Sequence, residues 1–310
     1  MTVLTAGETM ALFDPVEDGD LRLGMPLTLR FAGAESNFAI ALARLGVPVA
    51  WVSRLGRDPL GDLIERELLE EGVDLRWLRR DDAPTGLFLK WRSGGRSHVA
   101  YRRAGSAASR LRREDVPDQA LEGVRLVHLT GITMAISESA RDLVLDLARR
   151  AKERGAEVLF DPNFRPALPD TPDAAASRQR DVLPYVDWYL CGEGEAQLLW
   201  QDTEIPARTV IRVGARGAIV DGLEVPPTRT VAVVDEVGAG DAFAAGFAYG
   251  LLRGWPPADC AHTGNVIAAA ALAGTGDWET LPRLADVHAD LSPTRSPVNA
   301  RARPRRTASP

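Results

Sequence analysis

Between residues 124 and 273, short apolar runs alternate with longer stretches whose apolar positions recur every three or four residues. The runs 124–129, 157–161 and 210–213 have the length and β-branched content of strands, Tyr189-Leu190 reads as a short one, and 137–154, 193–199, 240–253 and 258–273 have the spacing of helices. Earlier in the chain, residues 1–7 form a buried-strand pattern ending at Gly7, and 50–55 another. In the segment 31–46, apolar positions 38, 41, 42 and 45 follow helical spacing and Gly46 suits the closing position, and 61–71 is an amphipathic helix stopped by Gly72. A polar turn at Asp221-Gly222 precedes a last predicted strand over 231–235. Regular strand–helix alternation implies an α/β fold with a mostly parallel sheet covered on both faces.

Two segments break the pattern. Residues 10–31 are short, mixed and turn-rich, and 85–103 alternate in strand fashion around Ser93-Gly94-Gly95-Arg96, a hairpin signal. Paired together, they would make a small separate sheet, and such a sheet over the carboxyl edge of the parallel one would act as a lid. The Pro-rich run 162–184 predicts a long loop with a short helix.

A length of 310 residues suits one large α/β domain, expected over 1–290. Residues 291–310 hold five arginines and no acid and are expected to be a disordered Arg/Pro-rich tail. A net charge of −6 argues against a nucleic-acid partner. No apolar run reaches the length of a membrane span, so no membrane partner is expected. Two distant cysteines and no basic leader suggest a reduced, cytoplasmic setting. All but two of the 37 basic residues are arginine, so an isolated arginine is weak evidence of a binding role.

The strongest chemical signal is Val234-Asp235-Glu236-Val237-Gly238-Ala239-Gly240-Asp241, a glycine-rich turn opening a small-residue helix. Main-chain N–H groups at such a helix start can hold an anion. Asp241 would repel that anion unless it faces the other reactant, where it could accept a proton from a hydroxyl while the nearby N–H groups keep it ionised. An ordinary N-cap would show the same residues. Gly33-Ala34-Glu35-Ser36-Asn37 is a second glycine turn at a helix start, and Asn37 can both donate to and accept from a polyol. A capped helix accounts for this one as well.

Taken together, these segments are similar to those of the ribokinase (PfkB-type) carbohydrate kinase family over nearly all of residues 1–288. One signature is matched by Ala32 to Asn37 with Ala41 to Gly46, a second by Gly56-Arg57-Asp58-Pro59-Leu60-Gly61, and a third by Asp235 to Asp241. The resemblance implies a ribokinase-like three-layer sandwich with a small β-sheet lid, ATP and Mg²⁺ as cofactors, and phosphoryl transfer to an alcohol. It implies Asp241 as catalytic base and Gly238, Ala239 and Gly240 as the anion hole. It places the nucleotide against Gly214, Arg216, Gly217, Gly238, Gly240 and Asn265. A monovalent-cation requirement and a homo-oligomer formed through the lid stay open.

Within the family, Tyr101 to Ala107, Leu129 to Ile132, Asp161-Pro162-Asn163-Phe164-Arg165 and Gly276-Asp277-Trp278-Glu279 resemble the branch acting on 2-keto-3-deoxygluconate. That likeness implies Tyr101, Arg103 and Arg165 on the acidic end of the sugar, with Gly33, Asn37, Phe88 and Asp241 around the rest. A carboxylate suits a guanidinium fork, although both arginines could equally sit in structural ion pairs. The chain departs from the family pattern at several positions. Phe88 replaces a common Tyr, Gly192 a common Asn, Arg212 a usual Lys, and Glu236 a small residue or proline; the 200–209 stretch is short. Glu195 is kept and could reach a metal through water. The alternatives are a kinase for fructose or another sugar, or a catalytically weak sensor of sugar or nucleotide.

Overall fold

The computed structural model describes residues 2–165, 171–201, 204–227 and 231–291; the Arg-rich tail beyond Leu291 and part of the 200–209 stretch lie outside the described residues. Fourteen strands and nine α-helices are formed among them. The central sheet contains β1 (Val3–Ala6), β4 (Val49–Val52), β9 (Leu126–Thr130), β10 (Glu157–Asp161), β11 (Trp188–Gly192), β12 (Arg208–Arg212), β13 (Ala218–Val220) and β14 (Leu223–Val225). Its order is β14-β13-β12-β11-β10-β9-β1-β4. Pairing is parallel from β4 through β12 and antiparallel at the β12-β13-β14 edge.

The continuous apolar runs of β1, β4 and β9 are explained by burial on both faces, where every residue of each is covered. On one face, α1 (Ala34–Arg44), α2 (Pro59–Glu70), α7 (Ala239–Leu252) and α8 (Pro257–Ala271) bury Phe38, Ile64, Phe243, Phe247 and Ile267. On the other, α4 (Glu138–Glu153), α5 (Pro172–Val182) and α6 (Glu193–Trp200) bury Leu143, Leu147, Val182 and Trp200. The short α3 (Gly131–Ile136) and α9 (Leu284–Val287) complete the set. Helices α7 and α8 pack backbone to backbone: a Cβ at Gly246 would lie 2.7 Å from the Thr263 carbonyl oxygen. This close contact explains why α7 is rich in Ala and Gly rather than amphipathic.

The two irregular segments pair as expected. Strands β2 (Met10–Pro15), β3 (Leu27–Ala32), β7 (Leu87–Ser93) and β8 (Arg96–Arg102) form a separate sheet in the order β3-β2-β7-β8. The predicted strand at 50–55 is broken at Ser53. Its second half, β5 (Arg54–Gly56), leaves the central sheet to pair with β6 (Arg79–Asp81). The strand predicted at 231–235 does not form. Its apolar run has no sheet partner; Val233 and Val234 are exposed, and Val234 N–H donates to the Leu272 carbonyl. Cys191 and Cys260 are both buried free thiols, one in each core, and burial pushes both up to about 12.

Candidate active site

The parallel strands end on one edge, and several polar residues and turn glycines follow those ends. Glu8 comes after β1, Thr130 closes β9, Asn163 follows β10, Glu195 follows β11, and Gly214 follows β12. In open α/β sheets this carboxyl edge is where ligands bind, at the point where strand order reverses. Here that point lies between β1 and β9.

Asp241 sits in the first turn of α7, 8% exposed. Its Oδ2 accepts from Asn37 Nδ2 on α1 at 2.9 Å, and its Oδ1 accepts from Asn163 Nδ2 at 3.2 Å. Neither partner is a cation, so the carboxylate is oriented without being neutralised. Burial raises its pKa to about 6; the Asn37 bond, Arg165 and Arg212 oppose the rise, and Asp161 adds to it. Although burial raises it, a value of about 6 leaves the group ionised at neutral pH, as a base in this position requires.

Gly238 caps α7 with a left-handed φ of 76° and no capping side chain. A Cβ there would fall 2.0 Å from the Asp277 carbonyl oxygen, so only glycine fits. The first N–H groups of a helix have no intrahelical acceptor. Those of Ala239, Gly240 and Asp241 thus lie at the start of α7, beside the carboxylate, without an intrahelical acceptor.

Gly33 starts α1, where a Cβ would lie 2.3 Å from the Glu8 carbonyl oxygen. Glu8 is buried; it accepts from Ser106 Oγ at 2.6 Å and pairs with Arg103 at 2.6 Å. The guanidinium of Arg103 lies 5.8 Å over the Tyr101 ring, and Tyr101 packs on Phe88 at 5.5 Å. Gly33, Arg103, Tyr101 and Phe88 are thus one connected wall. Arg103 is in an internal ion pair, while its buried Nε has no hydrogen-bond partner. Arg165 is exposed, with Nη1 donating to the Phe164 carbonyl at 3.2 Å.

On the other side, Gly214 and Gly217 take left-handed φ angles of 59° and 94°. Arg216 pairs with Glu193 at 2.7 Å. Asn265 Nδ2 donates to the Val225 and Pro226 carbonyls at 3.1 and 3.3 Å, and a Cβ on Gly217 would press on that same Val225 carbonyl. Gly217 and Asn265 thus meet at the Val225 carbonyl, at the end of β14. Glu195 accepts from Phe164 N–H at 2.8 Å through Oε1, and from Gly192 N–H at 2.7 Å and Arg212 at 3.3 Å through Oε2. A carboxylate has about four acceptor positions, so one remains for a water. That suits contact with a metal through water and not direct ligation. Among the described residues no three His, Cys, Asp or Glu side chains gather as a metal cage.

Two ion pairs tie the lid down: Lys90 on β7 pairs with Asp235 at 3.2 Å, and Arg30 on β3 with Glu279 at 2.9 Å. Trp278 Nε1 also donates to the Phe31 carbonyl at 3.1 Å. Between these ties Asp277 is pushed up to about 7 by burial.

Several residues of the site carry no assigned role in the sequence reading. Asn163 and Asp161 lie in a quoted motif without one. Glu8 had a positional signal, directly after a strand-ending glycine at the carboxyl edge. Glu35 is fully buried on α1, accepts from Thr130 and Thr133 at 2.5 and 2.6 Å, and is raised to about 7 by burial. Nothing local in the sequence distinguishes it from an exposed first-turn acid.

A lidded parallel sheet with an uncompensated carboxylate beside a glycine-rich helix start is the layout of a small-molecule kinase. The model of the pfkB family of carbohydrate kinases matches residues 2–284. The 2-dehydro-3-deoxygluconokinase of Bacillus subtilis is 34% identical, covering 96% of this chain and 97% of that protein. The enzyme of the same name from Thermoproteus tenax is also 34% identical, over 91% of each. Among solved structures, the 2-dehydro-3-deoxygluconokinase of Thermotoga maritima superposes with a TM-score of 0.84 at 26% identity, covering 94% of this chain and 98% of that one. The chain belongs to the pfkB carbohydrate kinase family, and it is a carbohydrate kinase with the ribokinase-like fold. No helix among the described residues is long and apolar enough to cross a membrane.

Proposed function

We propose that the protein transfers the γ-phosphoryl group of ATP to the terminal hydroxyl of 2-dehydro-3-deoxygluconate (2-keto-3-deoxygluconate). The observation that carries the chemistry is Asp241: a buried carboxylate fixed by two neutral amides, next to unfilled helix N–H groups. In this reading it takes the proton of the attacking hydroxyl while the amides of 239–241 bind the transferring group. Gly214, Gly217, Arg216 and Asn265 hold the nucleotide. Bound with the nucleotide, magnesium would supply charge neutralisation at the phosphates, and Glu195 would help hold it through water. A need for a monovalent cation is not part of this reading.

Substrate choice is supported by the two relatives of that name and by the connected group of Gly33, Arg103, Tyr101 and Phe88. Arg165 supplies net positive charge for the sugar carboxylate. Arg103, already neutralised by Glu8, supplies a directional N–H through its unpartnered Nε. Asn37 Oδ1, also buried and unpartnered, accepts from a sugar hydroxyl. Phe88, packed on Tyr101, supplies an apolar surface on the lid. Measuring ADP release with a panel of sugars and sugar acids tests this choice. The 2-keto-3-deoxy acid should have a kcat/KM about 10²-fold or more above fructose, and Arg165→Ala should erase most of that preference by raising KM for the acid alone. Equal turnover of fructose would leave a fructokinase as the better reading; no ADP release with any sugar would favour a sensor.

The pH dependence follows from the burial of Asp241. A base works only when deprotonated, and its pKa is raised to about 6. Activity should therefore be full above that value and fall about tenfold per pH unit below it. An acid limb of kcat/KM near pH 4, where an exposed carboxylate titrates, would contradict the assignment.

Residues of the lid edges support a homo-oligomer formed there: Leu27 and Leu29 on β3 and Val99 on β8 are exposed on the two edge strands. A cytoplasmic location completes the reading.

A further inference from the structure

Asn163 stands two residues beyond β10 with a φ of 41°. Three non-glycine residues among those described have a positive φ, and Asn163 is the buried one, 5% exposed. Asparagine tolerates this region better than most residues, yet the conformation is still strained, and strain of this kind gathers at functional sites. Its contacts show what the strain achieves. The main-chain N–H donates to Asp161 Oδ1 at 2.9 Å while the side-chain Nδ2 donates to Asp241 Oδ1. A carboxylate only accepts, so the amide orientation is fixed by chemistry.

With Asn37 on the other oxygen, each end of the Asp241 carboxylate is held by one amide. The chain continues behind it. Asp161 pairs with Arg212 Nη1 at 2.6 Å, and the same Nη1 donates to the Gly240 carbonyl at 3.2 Å. Asn163, Asp161, Arg212, Gly240 and Asp241 therefore close a ring joining the end of β10 to the glycine-rich turn.

We propose that Asn163 is a positioning residue for phosphoryl transfer: it clamps the Asp241 carboxylate toward the attacking alcohol and, through Asp161 and Arg212, keeps it in register with the anion-binding amides. This inference rests on the reading of Asp241 as the base and goes beyond it by naming what aims that base. Besides the two amides, the charged groups acting on Asp241 are Asp161, which raises its pKa, and Arg165 and Arg212, which lower it. Asp241 in turn acts on the buried acids Glu35 and Asp277. With these unchanged, loss of an amide donor should favour the protonated carboxyl.

Asn163→Gly separates the two roles of the residue, because glycine accepts the left-handed backbone without strain and removes the amide. The expected result is a kcat lower by about 10–100-fold, KM values for ATP and sugar acid within about threefold, and an acid limb displaced upward by about half a pH unit or more. Asn163→Asp, the second variant, places another carboxylate against Asp241 and should move the limb further up, with activity returning as pH rises. Wild-type kcat in Asn163→Gly, or a loss in either variant with the acid limb unmoved, would overturn the proposal. Asp241→Asn run alongside keeps the two readings distinct. If it retains turnover, the base assignment fails; if it is inactive while Asn163→Gly behaves as wild type, only the positioning role fails.

Discussion

Asp241→Asn should lower kcat by about 10²–10⁴-fold while leaving the dissociation constant for ATP nearly unchanged. The substitution keeps the size and shape of the side chain, so α7 and its packing against α1 are retained. What is lost is the ability to take a proton. The amides of Asn37 and Asn163, which now donate to two carboxylate oxygens, would face one acceptor and one donor, and the new side chain would be held less firmly. The free N–H groups at 239–241 are main-chain groups and persist. Single-turnover phosphoryl transfer together with nucleotide titration checks both halves. A kcat within tenfold of wild type would mean that positioning alone carries the reaction, as it does in much of phosphoryl transfer.

The second large effect is on stability. Arg212 joins Asp161, Glu195 and the Gly240 carbonyl, and the Asp161 side chain is 1% exposed. Burial works against the charge of Arg212, but Asp161 outweighs it and its pKa is raised. Removing the guanidinium would leave a buried carboxylate without its cation. Arg212→Met should therefore destabilise the fold by about 3–5 kcal/mol, read from urea denaturation followed by circular dichroism. Arg212→Lys keeps the charge but cannot span all three partners, so it should lose about 1 kcal/mol. If Arg212→Met proved as stable as wild type, the Asp161–Arg212 pair would not be the strut that holds the glycine-rich turn against β10.

Much of this organisation can be read from the sequence because parallel strands buried on both faces leave continuous apolar runs, and the helices between them leave a period near 3.6. The β excursions at 10–31 and 85–103 are recognisable for the complementary reason: a sheet with one open face alternates. The failure at 231–235 has the same origin. Val231 to Val234 have the composition of a strand, but pairing needs a free neighbouring edge, which composition does not encode.

The site is legible in parts. Glycines at 33 and 238 are conspicuous because close main-chain approaches exclude a side chain there. The bond between Asn37 and Asp241 spans 204 positions in the chain, and no periodicity links the two. The ion pair of Arg103 with Glu8 is likewise invisible locally. A substrate fork and an internally paired arginine look identical until the acid is located, and in this fold Arg103 is the latter with one donor still unpartnered. Lys90 has a comparable history. It is one of two lysines in an arginine-rich chain, yet its tie to Asp235 emerges only when the lid folds over the glycine-rich turn.

A crystal structure of the protein with 2-dehydro-3-deoxygluconate and a non-hydrolysable ATP analogue tests the account most directly. The terminal hydroxyl oxygen should lie about 2.6–3.2 Å from the Asp241 carboxylate, with the γ-phosphate on the amides of 239–241 and the sugar carboxylate on Arg165. A hydroxyl directed away from Asp241, or an acid group placed out of reach of Arg165, would contradict it.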